Sequence, residues 1–326
     1  MKAIALNENN VLAIFEVPDP VVGEGEVKIK MLSAGVCGSD LSSIASGVER
    51  AYYPWTIGHE GGGRIVEVGP GVTTLAVGDI VVVEPNYTCM KCKWCLTGQT
   101  KMCYERQSLG GQIPGLFSEY FTAPAEYVFK LPAETPKAVL ASFEPTAVAY
   151  SGVDKYMPAD GKSALVIGAG SQGIVVCRRL LDNGIAPYVI EPKAENMAMA
   201  VAIGAKNATE LEGQKFDLVF ETSGAASGYL TALELCERQG DICLIGQTSS
   251  PVTLGTRPLV QKELTVKGHL IYNHPTDFSI IAKHVCDGCY QLDGLREFVG
   301  PGQGVQDILN ARNLGGKIVM DLENWG

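Results

Sequence analysis

Three glycines, Gly168-x-Gly170-x-x-Gly173, stand between a short apolar run, Ser163-Ala164-Leu165-Val166-Ile167, and a stretch of helical length, Ile174 to Leu181. This spacing lets a strand turn sharply into a helix and leaves the backbone open to a ligand. The same rhythm continues downstream. Tyr188-Val189-Ile190 reads as a second strand and Glu195 to Ile203 as a helix closed by Gly204. Phe216 to Phe220 and Asp241 to Gly246 read as further strands. Alternation of strand and helix predicts an α/β fold with a parallel, doubly wound sheet. Glu191 closes the second strand, 18 residues past Gly173. A glycine triplet alone is a weak signal. With a strand before it, a helix after it and an acid ending the next strand, it is a dinucleotide fingerprint. The helix N-terminus faces the pyrophosphate and the acid faces the ribose.

Residues 1–135 differ. They are rich in β-branched residues and punctuated by Gly and Pro, with few segments of helical period. Val27 to Lys30, Gly63 to Val68 and Gly78 to Val83 read as strands of an irregular β domain. The alternating rhythm fades after about residue 274, and Lys317 to Leu322 reads as a strand returning to the first domain. The expected division is 1–147 completed by 274–326, with 148–273 as the dinucleotide domain. A chain of 326 residues suits two domains.

Composition excludes several classes. A hydrophobic share of 46% excludes a disordered chain. Asp plus Glu number 36 against 26 Lys plus Arg, a net charge of −10. That sign argues against nucleic acid and against anionic membrane surfaces. No apolar run approaches the roughly 18 residues of a membrane span. The first ten residues turn polar too soon for a secretory signal, so a cytoplasmic protein is expected. Ten cysteines in a reducing compartment then call for a use other than disulfides.

Metal binding is that use. Cys89-x2-Cys92-x2-Cys95-x7-Cys103 places four thiolates on one loop, as in a closed, structural tetrahedral zinc site. Short spacing keeps the entropy of closure small. A second set is Cys37-Gly38-Ser39-Asp40 with Gly58-His59-Glu60. Cys, His and a carboxylate can hold zinc, and Asp40 can accept the other ring N–H of His59 and fix its tautomer.

Together these motifs resemble the zinc-dependent medium-chain dehydrogenases/reductases of the alcohol dehydrogenase superfamily. The resemblance spans nearly the whole chain and includes Phe220-Glu-Thr-Ser-Gly224. It implies a GroES-like β catalytic domain plus a Rossmann domain. Glu144-Pro145 resembles the polyol branch, which includes sorbitol, threonine and sugar-alcohol-phosphate dehydrogenases. By that resemblance, Cys37, His59 and either Glu60 or Glu144 bind the catalytic zinc, giving two zinc ions per chain. Ser39, Asp40, Ser42 and Glu60 serve catalysis. Gly168, Gly170, Gln172, Gly173, Glu191, Ser223 and Gly246 hold NAD. The implied substrate is a small polyol or sugar derivative, phosphorylated or not, and the implied assembly a homodimer or homotetramer. Amino-alcohol oxidation of the threonine dehydrogenase kind is the alternative substrate class. A non-catalytic dinucleotide-binding zinc protein and a zinc-free quinone reductase are rivals. The first is opposed by Cys37, Ser39, Asp40, His59 and Glu144 occurring together, the second by the four-cysteine loop.

Two departures stand out. Many relatives place a relay histidine where this chain has Ser42, and the 290–315 region is shorter than usual. His269, His274 and His284 read as structural or surface residues. Cys177, Cys236 and Cys243 read as packing, and the Cys286-x-x-Cys289 pair as incidental.

Overall fold

The structure is a computed structural model. It describes residues 1–47, 49–156, 162–208, 213–247, 250–287, 298–310, 314 and 316–325. The chain forms two compact units, Met1–Glu144 with Asn273–Gly326, and Pro145–Tyr272.

The first unit begins with β1 (Lys2–Leu6), β2 (Leu12–Glu16), β3 (Glu26–Gly35), α1 (Gly38–Ser46), β4 (Trp55–Thr56), β5 (Glu60–Val68) and β6 (Ile80–Val83). It continues through β7 (Asn86–Tyr87), α2 (Lys93–Leu96), β8 (Gln107–Ser108), β9 (Tyr120–Pro124) and β10 (Val128–Leu131) into α3 (Lys137–Lys155), whose residues from Pro145 on belong to the second unit. Strand β3 is the spine. Along one edge it pairs antiparallel with β5, and the start of its other edge takes β9. Its first half alternates in burial while its second half is wholly buried, which is why its sequence alternates only at the start. Ile29, Met31, Ile65, Val81 and Phe117 share one core there.

The second unit holds β11 (Ala164–Ile167), α4 (Ser171–Asp182), β12 (Tyr188–Ile190), α5 (Ala194–Ala202), β13 (Lys206–Asn207), β14 (Phe216–Glu221), α6 (Ala226–Leu235), β15 (Cys236–Leu244), α7 (Arg257–Lys262) and β16 (Thr265–Gly268). Its sheet runs β13-β12-β11-β14-β15-β16, and every pairing is parallel. The order reverses between β11 and β14, the crevice where such sheets take ligands. Gly173 allows α4 to start there, since a Cβ on it would collide with the carbonyl oxygen of Gly168.

The chain returns to the first unit through α8 (Thr276–Cys286), α9 (Pro301–Asn310) and β17 (Val319–Asp321). β17 pairs antiparallel with the end of β3. Among the described residues, no helix is long and apolar enough to cross a membrane.

Some elements differ from the sequence reading. α1 and α3 are helices in a half that showed few helical periods. α1 carries Gly-Ser-Asp-Leu-Ser-Ser-Ile-Ala-Ser and lacks a full apolar stripe. Its ends are fixed instead, by Asp40 at the start and by left-handed Gly47 (φ 57°) at the stop. β15 starts at Cys236 and stops at Leu244, so Gly246 lies beyond it in a turn. Cys289, with all of 288–297, lies outside the described residues.

Candidate active site and metal centres

The first cluster is built at the N-terminus of α1. Cys37 is the residue that caps the helix, and Asp40 sits three positions on. The Asp40 carboxylate accepts the Cys37 N–H at Oδ2, 2.9 Å away. Its other oxygen, Oδ1, lies 3.1 Å from His59 Nδ1. One buried carboxylate therefore positions both residues. With Nδ1–H donated to Asp40, Nε2 is the nitrogen left for a ligand. Gly58, at φ 91°, turns the chain so that His59 enters ahead of β5. Burial alone would lower the pKa of His59. The Asp40 carboxylate and the Cys37 sulfur outweigh it and hold the ring well above its ordinary value. A proton must leave before Nε2 can bind a metal.

Ligand atoms of Cys37, His59 and Glu60 all lie within 4.8 Å of one another. This is the donor set a single ion can bridge, with room for a further ligand. Ser39 Oγ lies 3.4 Å from His59 Nε2. Ser42 points away, donating to the Gly38 carbonyl at 3.2 Å on an exposed face. Glu144 is buried on α3 and lies outside this cluster.

The sequence reading missed Lys317. It is buried and forms an ion pair with Glu60 Oε2. Burial would lower its pKa, but Glu60, Cys37 and Glu144 outweigh that and keep the ammonium charged. A lysine heading the apolar run Ile318-Val319-Met320 was the available signal, because a buried cation needs a partner.

The four-cysteine loop is also assembled. The sulfurs of Cys89, Cys92, Cys95 and Cys103 lie within 4.8 Å of one another. Cys92 Sγ and Cys95 Sγ are 3.6 Å apart, and Cys103 Sγ and Cys89 Sγ 3.5 Å. Zinc–sulfur bonds of about 2.3 Å in a tetrahedron place sulfurs about 3.8 Å apart, so the donor set fits zinc. Backbone N–H groups, that of Cys95 foremost, lower the Cys92 thiol toward its ligating, ionised form. The loop is pinned through Thr100, whose hydroxyl meets both the N–H and the carbonyl of His274, at 2.7 and 3.1 Å. His274 in turn pairs with buried Glu84 at 2.8 Å and stacks on Tyr127.

In the second unit, Glu191 lies against the glycine turn. Its Oε2 accepts the Ala169 N–H at 2.7 Å, and its Oε1 the Lys193 N–H at 2.8 Å. Gly168 and Gly170 flank that contact, and Gln172 occupies the first turn of α4, its buried Oε1 without a partner among the described residues. Across the crevice, Thr222 Oγ1 donates to the Ile167 and Gly168 carbonyls at 3.1 and 3.0 Å. Ser223 bonds through its N–H and hydroxyl to Glu221, and Gly246 packs directly on Gly224. Glu221 was missed, although it too is an acid closing an apolar strand, the feature that marked Glu191. A dinucleotide fits this floor, which offers open backbone at the glycine turn and hydroxyls beside it. His269 is buried with Nε2 at 3.0 Å from the Val148 carbonyl, and Cys177, Cys236 and Cys243 are buried.

Residues 23–133 match the family described as alcohol dehydrogenase GroES-like domain, and residues 173–287 that described as zinc-binding dehydrogenase. A sorbitol dehydrogenase of Halalkalibacterium halodurans is 31% identical over 287 residues, 82% of this chain and 83% of that protein. The crystal structure of galactitol-1-phosphate dehydrogenase from Escherichia coli matches with a TM-score of 0.87 at 28% identity, covering 98% of this chain and 100% of that one. A structure from Escherichia coli CFT073, titled a short chain alcohol dehydrogenase complexed with cofactor NADH, matches with a TM-score of 0.87 at 27% identity. It covers 98% of this chain and 99% of the other.

The two clusters should each hold zinc but serve unequal roles. Metal analysis is expected to give two zinc ions per chain, one at each cluster. Cys92→Ser should lower thermal stability. His59→Ala should lose one zinc and all turnover and keep its fold by circular dichroism. A single tightly held zinc with full activity in His59→Ala would overturn this.

Proposed function

The chain belongs to the zinc-binding alcohol dehydrogenase family, and on that premise we propose that it moves hydride between NAD and a secondary alcohol of a small polyol or sugar derivative. It is a zinc-dependent oxidoreductase with a GroES-like unit and a Rossmann unit. The observation that carries the reading is the shared Asp40 carboxylate, which sets Cys37 and His59 together with the Ser39 hydroxyl beside them.

Cys37, His59 and Glu60 are the proposed holders of the catalytic zinc, with Glu144 near Lys317 as the second carboxylate. When bound, zinc would supply Lewis acidity for a substrate oxygen and NAD would supply the hydride acceptor. The chain's own residues do the rest. Asp40 keeps His59 in one tautomer. Lys317 pairs with Glu60 inside a buried site, so neither charge is buried alone. Ser39 Oγ takes the proton of the substrate hydroxyl and passes it on, since a hydroxyl both donates and accepts. Ser42, exposed, hands a proton to water but has no pKa near neutrality at which to store one. Gly168, Gly170, Gln172 and Gly173 hold the pyrophosphate half of NAD, with Ser223 and Gly246 across the crevice. Glu191 faces the adenosine ribose, where its charge repels a 2′-phosphate. By the same resemblance the enzyme is taken to work in the cytoplasm as a homodimer or homotetramer.

A screen of polyols, polyol phosphates and simple primary alcohols with NAD and NADP tests the reading. Turnover is expected with the polyol class, at higher kcat/KM with NAD. No turnover of any polyol would refute the substrate class. Equal or better kcat/KM with NADP would show that Glu191 does not face the ribose.

The proton path has its own test. Ser39→Ala should lose on the order of 10²–10⁴ in rate, the scale of a lost acid–base element. Ser42→Ala should lose several-fold at most, because water replaces it. Comparable large losses in both variants would make Ser42 an obligatory link.

A further inference from the structure

Glu221 ends β14, the strand just past the point where the sheet order reverses. It is 2% exposed, and the mechanism gives it no task. Its Oε1 accepts the Ser223 N–H at 2.9 Å, the Ser223 hydroxyl and the Gly224 N–H at 3.2 Å, and Oε2 shares the last of these. Its carbonyl accepts the N–H groups of Ile245 and Gly246 at 2.8 and 2.9 Å. Glycines enclose the carboxylate. A Cβ on Gly228, in the first turn of α6, would lie 2.7 Å from Oε1, and one on Gly246 would lie 2.7 Å from Oε2.

This carboxylate stands behind the wall of the dinucleotide crevice. Thr222, the next residue, donates to the Ile167 and Gly168 carbonyls. A Cβ on Gly168 would lie 3.0 Å from the Cβ of Ser223. The turn that Glu221 holds is therefore packed on the glycine turn itself. A doubly wound sheet takes a dinucleotide in two halves. Here β11, β12 and β13 form the half with Glu191 and the glycine turn, which suits the adenosine side. The strands β14, β15 and β16 form the half left for the nicotinamide side, and Glu221 closes the first of them.

Glu221 lacks a counter-charge. Its hydrogen-bond partners are backbone N–H groups and one hydroxyl, and among the described residues no lysine, arginine or histidine pairs with it. Those dipoles, with the N-terminus of α6, offset part of the cost of burial. They carry no net charge, so the field of the carboxylate reaches past them and is little screened by the interior. A charge buried without a counter-ion is costly. The cofactor brings a cation to this half of the crevice in one redox state alone. The oxidised nicotinamide ring is positive, and a ring that has accepted a hydride is neutral.

We propose that Glu221 is the charge by which this enzyme tells the two redox states of its cofactor apart, favouring NAD⁺ over NADH at the binding step. It acts through its field and not by contact. The consequence is uptake of NAD⁺ in the presence of NADH, which relieves product inhibition during alcohol oxidation. This rests on the dinucleotide reading above and is independent of which alcohol is oxidised.

Equilibrium titrations of the purified, zinc-loaded protein without substrate test it. Kd is measured for NAD⁺, NADH and ADP-ribose, which lacks the ring, in the wild type, Glu221→Gln and Glu221→Asp at one pH and ionic strength. In Glu221→Gln the preference for NAD⁺ over NADH should fall by about tenfold, the scale of one unit charge acting through protein and not through water. ADP-ribose should bind that variant nearly as before. Glu221→Asp keeps the charge and should keep most of the preference. An unchanged preference in Glu221→Gln, or equal losses for all three ligands, would show that Glu221 only shapes the turn and would overturn the proposal. Should Glu221→Gln fail to fold, the wild type decides. NAD⁺ bound at least as tightly as NADH supports the proposal, and NADH bound more tightly overturns it. If none of the three ligands binds the wild type, the dinucleotide reading itself is refuted, and the proposal falls with it.

Discussion

The Asp40 carboxylate is the joint on which the active site depends. Its two oxygens reach two residues that lie 22 positions apart, the N–H of Cys37 and the ring of His59. The first contact also starts helix α1, so one group sets a helix end and a ligand tautomer together. Buried charge then propagates outward. Glu60 follows His59 into the core, and Lys317 arrives from the far end of the chain to pair with it. Neither charge could be buried alone at tolerable cost. Strand β17 brings Lys317 into place by pairing with β3, whose end leads into Cys37.

The two sulfur-bearing centres divide structural and chemical duties. The four-thiolate loop is saturated by its own ligands and is tied to the body through Thr100 and the buried Glu84–His274 pair. It holds shape. The Cys37, His59 and Glu60 set offers three donors and a serine hydroxyl, which leaves room for chemistry. Within the Rossmann unit the glycine turn is tied from two sides. Glu191 ties the glycine turn to β12, and Thr222 ties the same turn to β14.

What was legible in the sequence was local. The glycine turn, the four cysteines and the alternating strands and helices announce themselves because neighbours in sequence do the work. Cys37, Asp40 and His59 were legible as residue types, and their union through one carboxylate followed from metal-site chemistry. Lys317 was not singled out, because its partner Glu60 lies far away in sequence and is brought near only by the fold. Glu221 was not singled out either, although it closes an apolar strand as Glu191 does. Helix α1 escaped for a related reason. Its Ser-rich sequence has weak apolar period, and its caps and packed neighbours, more than propensity, hold it.

If Asp40 organises the site, removing its charge while keeping its shape should disable that centre alone. Zinc content and turnover of purified Asp40→Asn measure this directly. The account predicts a folded protein that keeps the four-thiolate zinc, loses the other and has lost its dehydrogenase activity. Two tightly held zinc ions per chain with undiminished turnover would contradict it.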